Sequence, residues 1–235
     1  MINDSCQPNC FIDRRLNNHL LGLLRFVIVL IAAVIALPGF ALKNSEAVAA
    51  DAAHQPSKYD SAFGYGRQSL GISVGHGLAL PIGGTNSPGM EDIQFVYTTP
   101  RWGIGLTDPL GERSWYRGSF ELLLEGTFLY MFEPKSGIAG GISPGLRYNF
   151  LTGTRFIPFF HAGVGFIALD ADLPRQSDGL NFILQSGVGL HYFISQSTAL
   201  TGEWRFHHIS NASIHDRNAG INSSLFMLGL TFFLR

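Results

Sequence analysis

Trp204-Arg205-Phe206-His207-His208-Ile209-Ser210-Asn211-Ala212 begins as an alternating run and ends in a polar loop. A second alternating run, Asn222 to Phe233, follows that loop. Residues two apart in a strand share a face. Leu200, Trp204 and Phe206 therefore point with His208 and Ser210, while Glu203, Arg205 and His207 point the other way. In the second run Phe226, Leu228, Leu230 and Phe232 share one face, and Gly229 and Thr231 take the other. Two such strands read as an antiparallel pair with one apolar face and one small or polar face. His208 and Ser210 sit at the end of the apolar face, where polar groups need a reason.

Upstream, the same kind of segment recurs. Strand-like runs lie at about 69–78, 92–103, 114–131, 138–150, 155–169 and 181–194, and the two quoted runs, 198–210 and 222–233, make eight. No segment after residue 50 has a helical period or an apolar run long enough to span a membrane as a helix. Gly77–Glu91, Ala168–Gly179 and Asn211–Ile221 are long polar connections, whereas Leu151–Thr154 and Ser195–Ser197 are tight, and Phe132–Gly137 falls between. Long loops at one end and tight turns at the other are the pattern of an outer-membrane barrel. An even strand number places both termini at the tight-turn end.

The sixth run sets the facing. Phe182, Leu184, Val188, Leu190 and Tyr192 share one face, interrupted by Ser186, and Gln185, Gly187, Gly189 and His191 share the other. The first set faces lipid and the second a narrow lumen in which glycine makes room. A lipocalin-like soluble barrel would reverse the two faces, and periodicity alone does not choose. The small and polar inward set, the aromatic last strand and the N-terminal segment favour the membrane form. The expected fold is all-β, an eight-stranded antiparallel transmembrane β-barrel after an N-terminal signal peptide. Its lumen is filled by side chains, so it is not a pore.

Composition agrees. The chain has 235 residues, a formal net charge of −1, 28 Gly, 19 Phe and only 14% charged residues. No basic field suggests nucleic acid. Residues 20–42 are apolar apart from Arg25, follow Arg14 and Arg15, and lead to Ala47-Val48-Ala49, a small-x-small cleavage pattern. Residues 1–50 therefore read as a signal peptide, with a retained anchor as the alternative. Residues 51–68 read as a periplasmic leader and 69–235 as the barrel. Cys6 and Cys10 both precede the apolar run, so the exported part has no cysteine for a disulfide or a metal site. The C-terminus ends Phe232-Phe233-Leu234-Arg235, with its last aromatic two residues from the end.

Several motifs carry little. Gly71-Ile72-Ser73-Val74-Gly75 and Gly141-Ile142-Ser143-Pro144-Gly145 match Gly-x-Ser-x-Gly, but no helix follows either, as a hydrolase elbow requires. His207, His208 and His215 do not form a metal set, since His207 and His208 face opposite ways and no further ligand spacing completes it. No metal or cofactor is expected. His208 and Ser210 differ: they share a face, as base and hydroxyl must for nucleophilic catalysis. Asn222 opens the next strand with the parity of Phe226, so it faces out beside His208. Residues alone leave two readings open, a functional cluster or polar decoration where a barrel meets headgroups.

Phe206-His207-His208-Ile209-Ser210-Asn211-Ala212, followed by Asn218-Ala219-Gly220-Ile221-Asn222-Ser223, resembles the signature of the lipid A 3-O-deacylases, the PagL family of outer-membrane acyl hydrolases. The resemblance implies localisation in the bacterial outer membrane and hydrolysis of the 3-O-linked acyl chain of lipid A in the outer leaflet. It implies Ser210 as nucleophile and His208 as general base. Asn222 stands where the family pattern has a Glu to orient the histidine. Glu203 cannot replace it, because its parity points into the barrel. Asn211 and the backbone amides around Gly220 are the oxyanion candidates. Lys135, Arg175 and Arg217 lie in the long loops, where they meet lipid A phosphates or simply solvent. A homodimer stays open. The alternative function is a non-catalytic structural or adhesive barrel, and a third reading is an esterase acting on phospholipid.

Overall fold

The computed structural model describes residues 57–111 and 114–234, so the expected signal peptide lies outside the described residues. Eight strands follow in order: β1 (Gln68–Ala79), β2 (Gln94–Gly105), β3 (Gly118–Glu133), β4 (Gly137–Phe150), β5 (Phe156–Asp170), β6 (Gly179–Phe193), β7 (Thr198–Ser210) and β8 (Ile221–Leu234). Each pairs antiparallel with the next, and β1 pairs with β8 to close a barrel. Among the described residues no helix is long and apolar enough to cross a membrane. The membrane is met by strands. Ile72, Phe128, Val188, Phe226 and Leu228 on the outer wall are each more than half exposed. Their strand neighbours turn inward and are buried, or half-buried where the neighbour is Gly71, Gly189 or Gly229, as alternation requires.

Two details of the expected layout change. The third strand starts at Gly118 rather than 114. Ser114 N–H donates to Gly111 O at 2.8 Å and Arg117 N–H to Ser114 O at 3.0 Å, which spends those residues on turns. The 106–117 connection is therefore long, at the end expected to carry only tight turns, while the 134–136 turn at the opposite end is short. The leader is also more than a tether. Residues 60–62 form a short 3-10 turn, and Tyr59 and Phe63 enter the barrel base. The Phe63 ring lies 5.0 Å from Phe233 and 6.0 Å from Phe193, and Asp60 Oδ2 accepts from Arg117 at 2.6 Å.

The lumen is filled in tiers. At the end carrying the 80–93, 171–178 and 211–220 loops, Met90, Phe95, Tyr97, Leu173, Ile209 and Leu225 belong to one apolar cluster. At the termini end Tyr59, Phe63, Phe193 and Phe233 form a second. Between them lies an ionic band. Arg205 donates to both oxygens of Glu125 at 2.8 Å and to Glu203 at 2.6 and 3.0 Å. Arg101 bonds Glu125 at 2.5 Å and Glu203 at 3.0 Å. Glu203 is thus committed inside, as its parity requires.

The barrel unit comprises His54–Asn211 and Arg217–Arg235, and the segment Ala212–Asp216 belongs to a second unit. By itself it shows two successive left-handed residues, Ala212 at φ 51° and Ser213 at φ 65°. Such backbone costs about 1–3 kcal/mol per residue and is common beside functional sites.

Candidate active site on the outer wall

The β7–β8 register places His208 directly opposite Asn222. The backbone of Asn222 turns away from β7. Its N–H donates to Thr85 Oγ1 at 2.8 Å, and its carbonyl accepts from Leu80 N–H at 2.8 Å. His208 and Asn222 are therefore a non-hydrogen-bonded pair, the kind in which facing side chains come closest. Their side chains meet, with His208 Nδ1 2.7 Å from Asn222 Oδ1.

The amide orientation decides the histidine tautomer. Asn222 Nδ2 donates to Ile82 O at 3.0 Å and to Thr85 Oγ1 at 3.2 Å. A backbone carbonyl can only accept, so the amide nitrogen must face Ile82 and the amide oxygen must face His208. That oxygen can only accept, so Nδ1 carries the proton. Nε2 is left with the lone pair. Ser210 lies two residues along the same strand, opposite Phe182 of β6, and is 8% exposed.

The loops above are pinned to one another. Gln176 bridges to Asn218 in a short antiparallel contact, and Ala219 N–H donates to Arg175 O at 2.9 Å. Gly84 passes so close to this strip that a Cβ there would lie 1.7 Å from Ala219 O. Only glycine permits that approach, which brings the 80–93 loop down to Asn222. The oxyanion candidates are engaged within this mesh. Asn211 N–H donates to Asn218 Oδ1 at 2.8 Å, and Asn211 Nδ2 to Arg217 O at 2.9 Å. Gly220 N–H donates to Gln176 Oε1 at 2.8 Å. Either amide would have to leave its partner to serve an oxyanion.

Gly220 has a second constraint. Its φ is +81°, and a Cβ there would sit 3.0 Å from His208 Cε1. Gly220→Ala is expected to strain the backbone by about 1–2 kcal/mol and to push the imidazole off Asn222. Turnover should fall more than barrel stability. Catalytic activity and urea midpoint measured side by side check this, and a pure stability loss counts against it.

The remaining candidates separate. His207 points into the lumen, with its ring 5.3 Å from Tyr97 in an edge-on contact. Lys135 pairs with Asp172 at 2.7 Å, and the ammonium holds that carboxyl below the usual carboxylate range. Arg217 donates to Leu173 O at 2.8 Å, and Arg175 is exposed. Among the described residues no three His, Cys, Asp or Glu side chains gather as a metal site. Phe206 and Trp204 lie below Ser210 on the outer wall, where Trp204 Nε1 donates to Ser224 Oγ at 2.7 Å. Sequence reasoning missed Ile82, Thr85 and Gln176. Gly83-Gly84-Thr85 was the available signal, a tight turn inside a long loop.

A family model described as lipid A 3-O-deacylase (PagL) matches residues 84–231. No curated protein matches the chain. Among solved structures, the outer-membrane enzyme PagL is similar at 21% identity over 68% of this chain and 97% of its own, with a TM-score of 0.45. Neisserial surface protein A is similar at 14% identity over 70% of this chain and 96% of its own, with a TM-score of 0.46. The N-terminal barrel of OprF from Pseudomonas aeruginosa is similar at 15% identity over 72% and 99%, with a TM-score of 0.43.

Proposed function

Because this chain belongs to the lipid A 3-O-deacylase (PagL) family, we propose that it hydrolyses the 3-O-linked acyl ester of lipid A by a Ser210–His208 mechanism on its lipid-facing wall. The protein is a hydrolase of the bacterial outer membrane. The observation that carries the mechanism is the 2.7 Å contact from His208 Nδ1 to an Asn222 amide oxygen whose nitrogen is anchored elsewhere.

Ser210 Oγ attacks the ester carbonyl while His208 Nε2 takes the hydroxyl proton. The tetrahedral oxyanion collapses, and the imidazolium returns the proton to the departing sugar oxygen. Water then attacks the acyl-enzyme, again through His208, and releases the fatty acid. Asn222 holds the ring in the required tautomer through both steps. Asn211 and Gly220 are the oxyanion donors in this reading, released from Asn218 and Gln176 when substrate arrives.

Placement on the outer wall suits the substrate. Each methylene drawn out of the bilayer costs roughly 0.8 kcal/mol, so a long acyl chain stays in the membrane. A nucleophile on the lipid-facing surface lets lipid A arrive by lateral diffusion. Phe206 and Trp204 line the path of the scissile chain, and Arg175 and Arg217 lie in the loops near the phosphate level.

Mass spectrometry of lipid A from cells producing the protein, beside Ser210→Ala, tests the reading. The parent is expected to remove one acyl chain from the 3-position and Ser210→Ala none. Removal by both would overturn the role of Ser210. Removal by neither, with the barrel folded, would favour a non-catalytic barrel, the reading that the missing acid at Asn222 supports. Turnover of phospholipid alone would point to a different esterase.

A further inference from the structure

We propose that Thr85, in the loop between β1 and β2, is a positioning residue that acts on His208 through Asn222, an inference that rests on the Ser210–His208 reading. Thr85 is fully buried, though it lies in a connecting loop. Its hydroxyl oxygen accepts from Asn222 twice, from the backbone N–H at 2.8 Å and from Nδ2 at 3.2 Å.

The need for such a residue follows from the chemistry of an amide. A carboxylate beside a histidine presents an acceptor whichever oxygen faces the ring. An amide presents an acceptor in one orientation and a donor in the other. In the wrong orientation its NH2 faces Nδ1 and forces the proton onto Nε2, the atom that must take the serine proton. An Asp→Asn change in a serine protease triad costs about 10⁴ in turnover for this reason. Here the Ile82 carbonyl, which can only accept, takes the amide nitrogen, and the Thr85 hydroxyl, by holding both the Asn222 backbone N–H and Nδ2, keeps the side chain where that contact is made, so the oxygen faces His208. Thr85 also holds the Asn222 backbone, which fixes where the side chain begins. The Gly83-Gly84 turn brings Thr85 to this position. The loop thereby supplies an asymmetry that the side chain at 222 lacks.

Three variants separate this from a merely structural role. Thr85→Val keeps the shape and removes the hydroxyl, and Thr85→Ser keeps the hydroxyl. Thr85→Val is expected to lower kcat about 10-fold or more, within the roughly 10⁴ ceiling for a fully wrong tautomer, with KM unchanged. Thr85→Ser should restore it. In an Asn222→Ala background Thr85→Val should lower kcat no further, because there is no amide left to orient.

The second readout needs no turnover. Nitrogen-15 spectra of the His208 imidazole, identified by its loss in His208→Gln, should show the Nδ1–H form in the parent and in Thr85→Ser at a pH where the ring is neutral. Thr85→Val should shift it toward the Nε2–H form. An unchanged ring spectrum overturns the proposal, as does a full additional loss of kcat in the Asn222→Ala background. A parent that releases no acyl chain overturns the deacylase reading instead, and the spectra still decide the role of Thr85.

Discussion

On the proposed Ser210–His208 mechanism, His208→Gln is expected to cut release of the 3-O-linked acyl chain by about 10⁴-fold or more, with the barrel still folded. Removing the base of a serine hydrolase costs nearly as much as removing the nucleophile, because the two act as a unit. The glutamine side chain reaches Asn222 but has no basic nitrogen to accept the Ser210 proton. The neighbouring His207→Gln is the natural control. It is one residue away yet points into the lumen against Tyr97, on the other side of the wall. Release measured by mass spectrometry on refolded protein should distinguish the two sharply. Equal losses in both variants would mean that the adjacent histidines affect folding rather than chemistry.

Glu125→Ala is expected to lower barrel stability by about 3–5 kcal/mol, the usual cost of stripping one partner from a buried ion pair. Glu125 receives Arg101, both ends of the Arg205 guanidinium and Gln185 Nε2 at 2.9 Å. Both arginines are almost wholly buried. The band is balanced: Arg101, Arg147 and Arg205 face Glu121, Glu125 and Glu203 through the contacts described or through Arg147 to Glu121 at 3.4 Å. Removing Glu125 leaves three cations against two anions among side chains that are almost wholly buried. Urea unfolding in detergent reads the effect. The exposed Lys135–Asp172 pair provides the comparison, since Lys135→Ala should leave the midpoint unmoved. A Glu125→Ala midpoint no lower than that of Lys135→Ala would remove the band from the account of stability.

Alternation made the barrel legible. With a period of two, each residue in β6, β7 and β8 is committed to lipid or lumen, and His208, Ser210 and Asn222 follow from that parity. The register that sets His208 against Asn222 follows from an antiparallel hairpin. What parity could not supply is contact across distant sequence. Thr85 and Asn222 are 137 residues apart, and Arg205 and Glu125 are 80 apart. An inward Arg205 is visible in the pattern, but its partner is not. The loop contacts were less visible still, because loops carry no periodicity. Ser114 to Arg117 shows the same limit on a small scale: Trp115 and Tyr116 favour a strand by composition, and only the turn bonds show otherwise.

The short segment before β1 has a mechanical consequence. Seven of the eight strand pairings join neighbours in sequence, so a hairpin holds each of them together covalently. The β1–β8 pairing has no such link, and it is where a barrel would unzip. Phe63, five residues ahead of β1, is wedged against Phe233 on β8, on the far side of that seam. Tyr59 reaches Phe193 of β6 at 5.5 Å, beyond it. The chain thus clasps across its own closing joint, and a force that parts β1 from β8 must first draw two aromatic rings out of the base.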